Sequence, residues 1–230
     1  MLLDLYGLYT PAFVTHESEQ NFNVTHRFPD LFVKMQMKKI NLLFFILIVS
    51  FSVSAQTYEK QYDICSESLK KLNIVDSIYF DLIKKRDSCL TGTFAPNFIV
   101  TTIDNQVLEL SKLKGKVVVL NFWFTRCQPC IKEMPELNKL VELYSAENVA
   151  FISFAPESSG IVKEFLVKHP FNFKTVSDSE PIRRDQFKLF SAWPYTILID
   201  KEGKISKMIL AAPEENIVSY YRGLIDDLLK

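Results

Sequence analysis

The chain has 230 residues, 27 basic and 27 acidic side chains, 48% hydrophobic residues and four cysteines. A formal charge of zero leaves no basic excess to neutralise phosphates, which excludes nucleic acid as the expected partner. The length suits one domain of ordinary size with extensions.

In chain order, the first signal is Met37-Lys-Lys39 ahead of an apolar core, Ile40 to Val49, and a small-residue run, Ser50 to Ala55. A charged start, an apolar core and a small-residue cleavage site make a secretory signal peptide over residues 37–55. The core is shorter than the ~20 residues of a spanning helix. An uncleaved signal anchor is the alternative. No cysteine follows the site, which argues against a lipid anchor. A signal of this kind belongs at the start of a chain, so translation is expected from Met35 or Met37. Residues 1–36 then read as a misassigned or disordered extension. The signal implies export to the periplasm or cell envelope.

Residues 56–92 are expected to form a short helical segment. Cys65, Leu69 and Leu72 share one helical face, and Ile78, Leu82 and Cys89 share another. Asp76 is placed to cap the second helix. Exported cysteines in an oxidising compartment tend to pair, which makes a structural Cys65–Cys89 disulfide the first reading. Buried free thiols and a second redox relay are the other two.

From residue 93 to 230, strands and helices alternate. Phe98–Thr102 and Val107–Leu110 suit a hairpin turned at Asp104-Asn105. Val117–Phe122 is a continuous apolar run, the pattern of a strand buried on both faces. A helical pattern follows from Ile131, with a kink expected at Pro135. Asn148–Ala155 is the next strand. Ile161, Val162, Phe165 and Leu166 give the next helix its apolar stripe. Phe173–Val176 and Pro181–Phe187 read as a short strand and a short helix. Tyr195–Ile199 and Lys204–Ala211 form a hairpin, and a last helix is expected from Pro213-Glu-Glu215. His169 ends a helix, where a cation complements the dipole. The fold class is α/β, a three-layer sandwich with a mixed central sheet.

The chemistry sits in Cys127-Gln-Pro-Cys130, between the Val117 strand and the following helix. Free backbone N–H groups and the positive dipole end of a helix favour an anion there. Pro129 fits the first turn, and Arg126 adds a cation. Free cysteine titrates near ~8.5, and such settings bring it to roughly 3.5–7.5. Cys127 is expected to be the exposed attacking thiol and Cys130 the more buried resolving one. Glu133 lies three residues on, on the same helix face. A partly buried carboxylate there would exchange a proton with Cys130; a solvated surface charge is the bland reading. Zinc sites want a second cysteine pair or spaced histidines, and His16, His26 and His169 form no such set. No metal ligand set is therefore assigned. A peroxidase would place a threonine three residues before the cysteine, and Thr125 stands two before it.

Asn121-Phe-Trp-Phe-Thr-Arg-Cys-Gln-Pro-Cys130, with Glu133 and Pro135, resembles the TlpA/ResA group of thioredoxin-like thiol–disulfide oxidoreductases of the bacterial envelope. So do Ala95-Pro-Asn-Phe98, the loop Leu113-Lys-Gly-Lys116 and Trp193-Pro-Tyr-Thr-Ile-Leu-Ile-Asp-Lys-Glu-Gly203. The resemblance spans about Thr93 to Lys230 and implies a thioredoxin-like sandwich. It implies that Pro194 is a cis proline and that Trp193 presents its backbone to a partner chain. It matches Glu133 to the group's buried glutamate, and Asn121 to the place of the buried aspartate of classical thioredoxins. Two departures concern the partner. Arg126 stands where the group usually has tryptophan, and Trp193 is bulkier than the residue common before the proline.

The expected function is therefore reduction of protein disulfides in the cell envelope through the Cys127–Cys130 dithiol. It needs no cofactor beyond the redox-active disulfide. A membrane thiol–disulfide donor is the expected electron source, and cytochrome maturation is one destination the resemblance implies. A metallochaperone or assembly module holding metal on the same thiols, and a thiol peroxidase, are the alternatives.

Overall fold

Val, Leu and Phe supply five of the six residues of Val117–Phe122, and every position of this strand is buried. A strand with no polar face must lie inside a sheet covered on both sides. The computed structural model shows that arrangement and describes residues 58–67, 79–144, 146 and 148–230. The signal segment, the extension ahead of it, and Leu69, Leu72, Asp76 and Ile78 lie outside the described residues.

Residues 58–66 are helical (α1) and Tyr79–Leu90 forms α2. A small antiparallel hairpin follows, β1 (Ile99–Thr101) with β2 (Val107–Glu109), turned at Asn105 with φ 60°. After a 3₁₀ turn at Leu110–Leu113 come β3 (Val117–Phe122), α3 (Gln128–Leu143), β4 (Val149–Phe154) and α4 (Ser159–Lys168). The chain closes with β5 (Lys174–Val176), a π-helical turn at Ile182–Gln186, β6 (Tyr195–Ile199), β7 (Ile205–Leu210) and α5 (Ile217–Leu229). The main sheet has the order β5-β4-β3-β6-β7. β4 runs parallel to β3 and β5, and β6 runs antiparallel to β3 and β7.

Alternation along β3 divides the core into two layers. Val117 and Val119 face one cluster with Leu137 and Leu140 of α3 and Tyr221 and Ile225 of α5. Val118, Leu120 and Phe122 face the other, with Tyr58 and Cys65 of α1, Leu90 of α2 and Phe187. Phe122 stacks on Phe154 at 4.9 Å, and Phe98 meets Phe154 edge-on at 5.4 Å. The helical segment before the sheet is thus one of the three layers.

Two local expectations are corrected. α5 begins at Ile217 rather than at Pro213, because Asn216 holds φ 64°, a left-handed conformation outside any helix. The α4 stripe is narrower than expected: Val162 is buried, but Ile161 is 53% exposed. α4 docks through Val162 and through Phe165, whose ring lies 5.3 Å from Trp123, while Ile161, in the first turn, stays at the surface. α3 runs through Pro135 as one helix. Among the described residues, no helix is long and apolar enough to cross a membrane.

Candidate active site

β3 ends at Phe122, and the next residues cross to the start of α3. Trp123 is fully buried and its backbone N–H donates to the Phe154 carbonyl at 3.1 Å, so the chain leaves the sheet on a fixed path. Cys127 is the N-cap of α3, with Pro129 in the first turn. Its sulfur accepts the Cys130 backbone N–H at 3.3 Å. A disulfide joins Cys127 to Cys130, whose Cα atoms are 5.2 Å apart. Cys127 is not the exposed sulfur expected: it is 4% exposed and Cys130 3%. Bonded to Cys130, it packs in the apolar cluster that holds Trp123 and Met134.

Glu133 is on the second turn of α3 and only 6% exposed. Oε1 accepts the Ala212 backbone N–H at 3.3 Å, while Oε2 is buried with no hydrogen-bond partner. Loss of water pushes its carboxyl up to about 7, against the smaller opposing pull of the Ala212 N–H. It is thus a buried carboxyl, not a solvated surface charge. Asn121 sits on the neighbouring strand, and its Nδ2 donates to Thr196 Oγ1 at 3.0 Å. Thr196 also hydrogen-bonds Tyr221, whose phenol is held above its ordinary range by burial and then by the charge of Glu133. Sequence reasoning missed Tyr221 as a neighbour of the carboxylate and Thr196 as the link from Tyr221 to Asn121. Tyr221 reads there as one more member of the α5 core stripe.

The Trp193-Pro194 peptide is cis. Pro194 and Glu133 both line a groove of about 430 Å³, with Pro129, Lys132, Ala212 and Glu214 also on its walls. Trp193 is half-buried. Its ring meets Phe124 edge-on at 5.4 Å and carries the Arg183 guanidinium 4.9 Å from its centroid. Arg126 is exposed, and among the described residues it forms no hydrogen bond or ion pair. Sequence reasoning also missed Glu157, just beyond the carboxyl end of β4. Its Oε1 accepts both the Thr125 N–H at 2.9 Å and the Thr125 hydroxyl at 2.8 Å. The Thr125 hydroxyl is therefore committed to a carboxylate. His169 caps α4, its ring stacked on Phe165 at 4.5 Å.

Cys65 and Cys89 form the second disulfide, joining α1 to α2 across a sequence separation of 24. Among the described residues there is no group of three or more His, Cys, Asp or Glu side chains fit to hold a metal ion.

The chain matches the AhpC/TSA family over residues 91–208. It is 33% identical over 150 residues to the thiol-disulfide oxidoreductase ResA of Bacillus subtilis, a match that covers 65% of this chain and 83% of that protein. The ResA of Halalkalibacterium halodurans is 32% identical over 150 residues, covering 65% of this chain and 85% of that protein. Among solved structures, a thiol:disulfide interchange protein of the thioredoxin family from Chlorobium tepidum superposes with a TM-score of 0.52 at 20% identity. It covers 60% of this chain and 96% of that one. The thioredoxin domain of a Bacteroides vulgatus thiol-disulfide oxidoreductase superposes with a TM-score of 0.51 at 22% identity, covering 59% and 97%. These two share the fold; the ResA matches share the sequence as well. With its α/β sandwich and a Cys127–Cys130 disulfide at the start of α3, the chain belongs to the TlpA/ResA-type thioredoxin-like family of thiol–disulfide oxidoreductases.

Proposed function

We propose that this oxidoreductase is exported and works as a reductant of protein disulfides, with Cys127 as nucleophile and Cys130 as resolving thiol. The observation that carries the reading is Glu133: a buried carboxyl, pushed up to about 7, three residues beyond Cys130 on the same helix. A reductase has to remove a proton from its resolving thiol at the moment of attack, and a group titrating near the working pH does that best.

The steps balance as follows. Reduced Cys127, as thiolate, attacks one sulfur of a partner disulfide; that bond breaks and the partner's other sulfur leaves as a thiolate. The mixed disulfide joins Cys127 to the partner. Glu133, ionised, takes the proton of the Cys130 thiol. The Cys130 thiolate attacks the Cys127 sulfur, and the partner's second sulfur leaves and is protonated. Two electrons have passed to the partner, and the Cys127–Cys130 disulfide remains. The Cys130 N–H now directed at the Cys127 sulfur, and the N-terminal end of α3, stabilise the attacking anion. No bound cofactor enters the cycle. The Trp193-Pro194 backbone is the platform for the partner chain, with Phe124 and Trp193 as an aromatic wall and Arg126 as an exposed cation on the docking face.

A reductant outside the cytosol requires an electron source, and a membrane thiol–disulfide donor fits the Cys127–Cys130 pair. Cytochrome maturation is one use of such electrons. The signal-peptide pattern of residues 37–55 supports export. A Cys130→Ser protein expressed in the envelope should accumulate mixed disulfides through Cys127, and the captured chains identify the substrates. Full insulin-reducing activity in a Cys127→Ser protein would sink the assignment.

A further inference from the structure

We infer that α1 and α2 form a brace that sets the position of the Trp193-Pro194 platform, with Arg86, Asp87 and Tyr195 as positioning residues; this rests on the reading of that peptide as the partner's docking platform. The platform is reached through residues 187–192, which adopt no helix or strand. A backbone run of this kind must find partners for its carbonyls outside regular structure. Here four consecutive carbonyls accept side-chain donors. Tyr58 of α1 donates to Phe187 O at 2.8 Å, and Tyr62 of α1 to Lys188 O at 3.2 Å. Arg183 Nη1 donates to Leu189 O at 2.9 Å and to Phe190 O at 2.8 Å. Glu59 pairs with Lys188. The Phe190 ring receives the Arg86 guanidinium 4.5 Å from its centroid and Tyr79 edge-on at 5.6 Å.

The other side of the platform is held by the same segment. Tyr195 follows Pro194 directly, and its hydroxyl accepts from Arg86 Nη2 at 2.9 Å and donates to Asp87. Arg86 and Asp87 are themselves paired, and both are buried. Buried charges hold a fixed geometry because moving either one leaves its partner unpaired in a medium that solvates it poorly. Cys89 lies two residues beyond Asp87 and is bonded to Cys65 on α1. The bridge therefore links the helix that holds residues 187 and 188 to the helix that holds Tyr195. One cross-linked unit grips the platform from both ends. Layer packing alone would not require donors from α1 to converge on this loop.

The consequence is selective. Docking of a partner chain depends on where the platform backbone lies, and a misplacement of about 1 Å in a positioned group costs on the order of 10²-fold. Attack on a small aromatic disulfide needs only the Cys127 thiolate. Tyr195→Phe removes the hydroxyl and leaves the Arg86–Asp87 pair in place. In the full chain it should raise KM for a disulfide-bonded peptide about tenfold, roughly 1.4 kcal/mol, with kcat changed less than about twofold. The rate with a small aromatic disulfide should stay within about twofold of wild type. Tyr62→Phe and the Cys65→Ala/Cys89→Ala pair should shift the same ratio in the same direction, and they carry the test if Tyr195→Phe does not fold. A parallel loss on both disulfides, or no change in KM for the peptide in any of the three, overturns the proposal. A wild-type protein that reduces neither disulfide would instead defeat the reductase reading itself.

Discussion

Cys65–Cys89 and Cys127–Cys130 are the same covalent bond in two settings. The first spans a sequence separation of 24, the second of 3. On the chain-entropy account, closing the longer loop stabilises by about 3.5 kcal/mol and the shorter by about 2 kcal/mol. The surroundings differ more than the loops do. Around Cys65 and Cys89 the polar neighbour is the Gln61 amide, 3.4 Å from the Cys65 sulfur, which offers no proton to exchange near neutrality. Near Cys130 stands Glu133, buried and pushed up to about 7, and the Cys127 sulfur already accepts a backbone N–H. A dithiol becomes a working couple through an anion site for one sulfur and a proton acceptor for the other. A cross-link needs neither.

Removing a sulfur from each pair should separate these roles most sharply. Cys127→Ser should abolish disulfide reductase activity, a loss of at least about 10³-fold, and leave the thermal transition within a few degrees of wild type. Cys65→Ala/Cys89→Ala should do the reverse: about 3 kcal/mol of stability lost in urea unfolding, with the small-disulfide reaction preserved. If the double variant also lost the reaction with a small disulfide, the two bonds would not be divided as described.

The proton acceptor gives the next test. Glu133→Gln keeps an oxygen for the Ala212 N–H but cannot ionise, so resolution of the mixed disulfide should slow about 10²-fold. In the wild type that step should speed up as pH rises through about 7. The stability effect runs the other way. A carboxyl raised above its unfolded value adds no penalty below the unfolded pKa near ~4.3. Stability then falls as pH rises from about 4.3 to about 7, by on the order of 3 kcal/mol in all, and levels off above that. Glu133→Gln should therefore be more stable than wild type at pH 8 and no more stable at pH 4. A flat difference across that range would remove the buried-acid account. The smallest effect is expected at Arg126, which is exposed. Arg126→Gln should slow reaction with acidic peptide disulfides about two- to threefold at low salt, an effect lost at high ionic strength.

Much of this was legible in the chain itself. The apolar run Val117–Phe122 marks the central strand because a strand buried on both faces has no polar alternation to keep. Cys127 and Cys130 announce themselves by spacing, and Glu133 by its place one turn further on. What was not legible depends on partners far away in sequence. Glu157 reaches Thr125 across 32 positions, and Tyr195 reaches Asp87 across 108. No local pattern encodes such a meeting. Burial of the Cys127 sulfur was misjudged for a related reason. A helix N-terminus predicts a favourable place for an anion, but it does not reveal that Cys127 belongs to the buried apolar cluster that also holds Trp123 and Met134. The late start of α5 turns on one backbone angle at Asn216, which composition does not fix.

β7 is the last strand of the sheet, and its outer rim does not stand open. The Gly92 N–H donates to the Ile205 carbonyl at 2.7 Å, the Ile205 N–H to the Thr93 carbonyl at 2.8 Å, and the Ala95 N–H to the Gly203 carbonyl at 3.0 Å. The stretch that connects α2 to the first hairpin thus acts as a guard rail along the sheet's border. Proline in place of Ala95 would remove the N–H given to Gly203 and leave the rim at the start of β7 partly unpaired, with α1, α2 and the sheet still present. Such rims template intermolecular strand pairing. The variant should self-associate at lower concentration than the wild type.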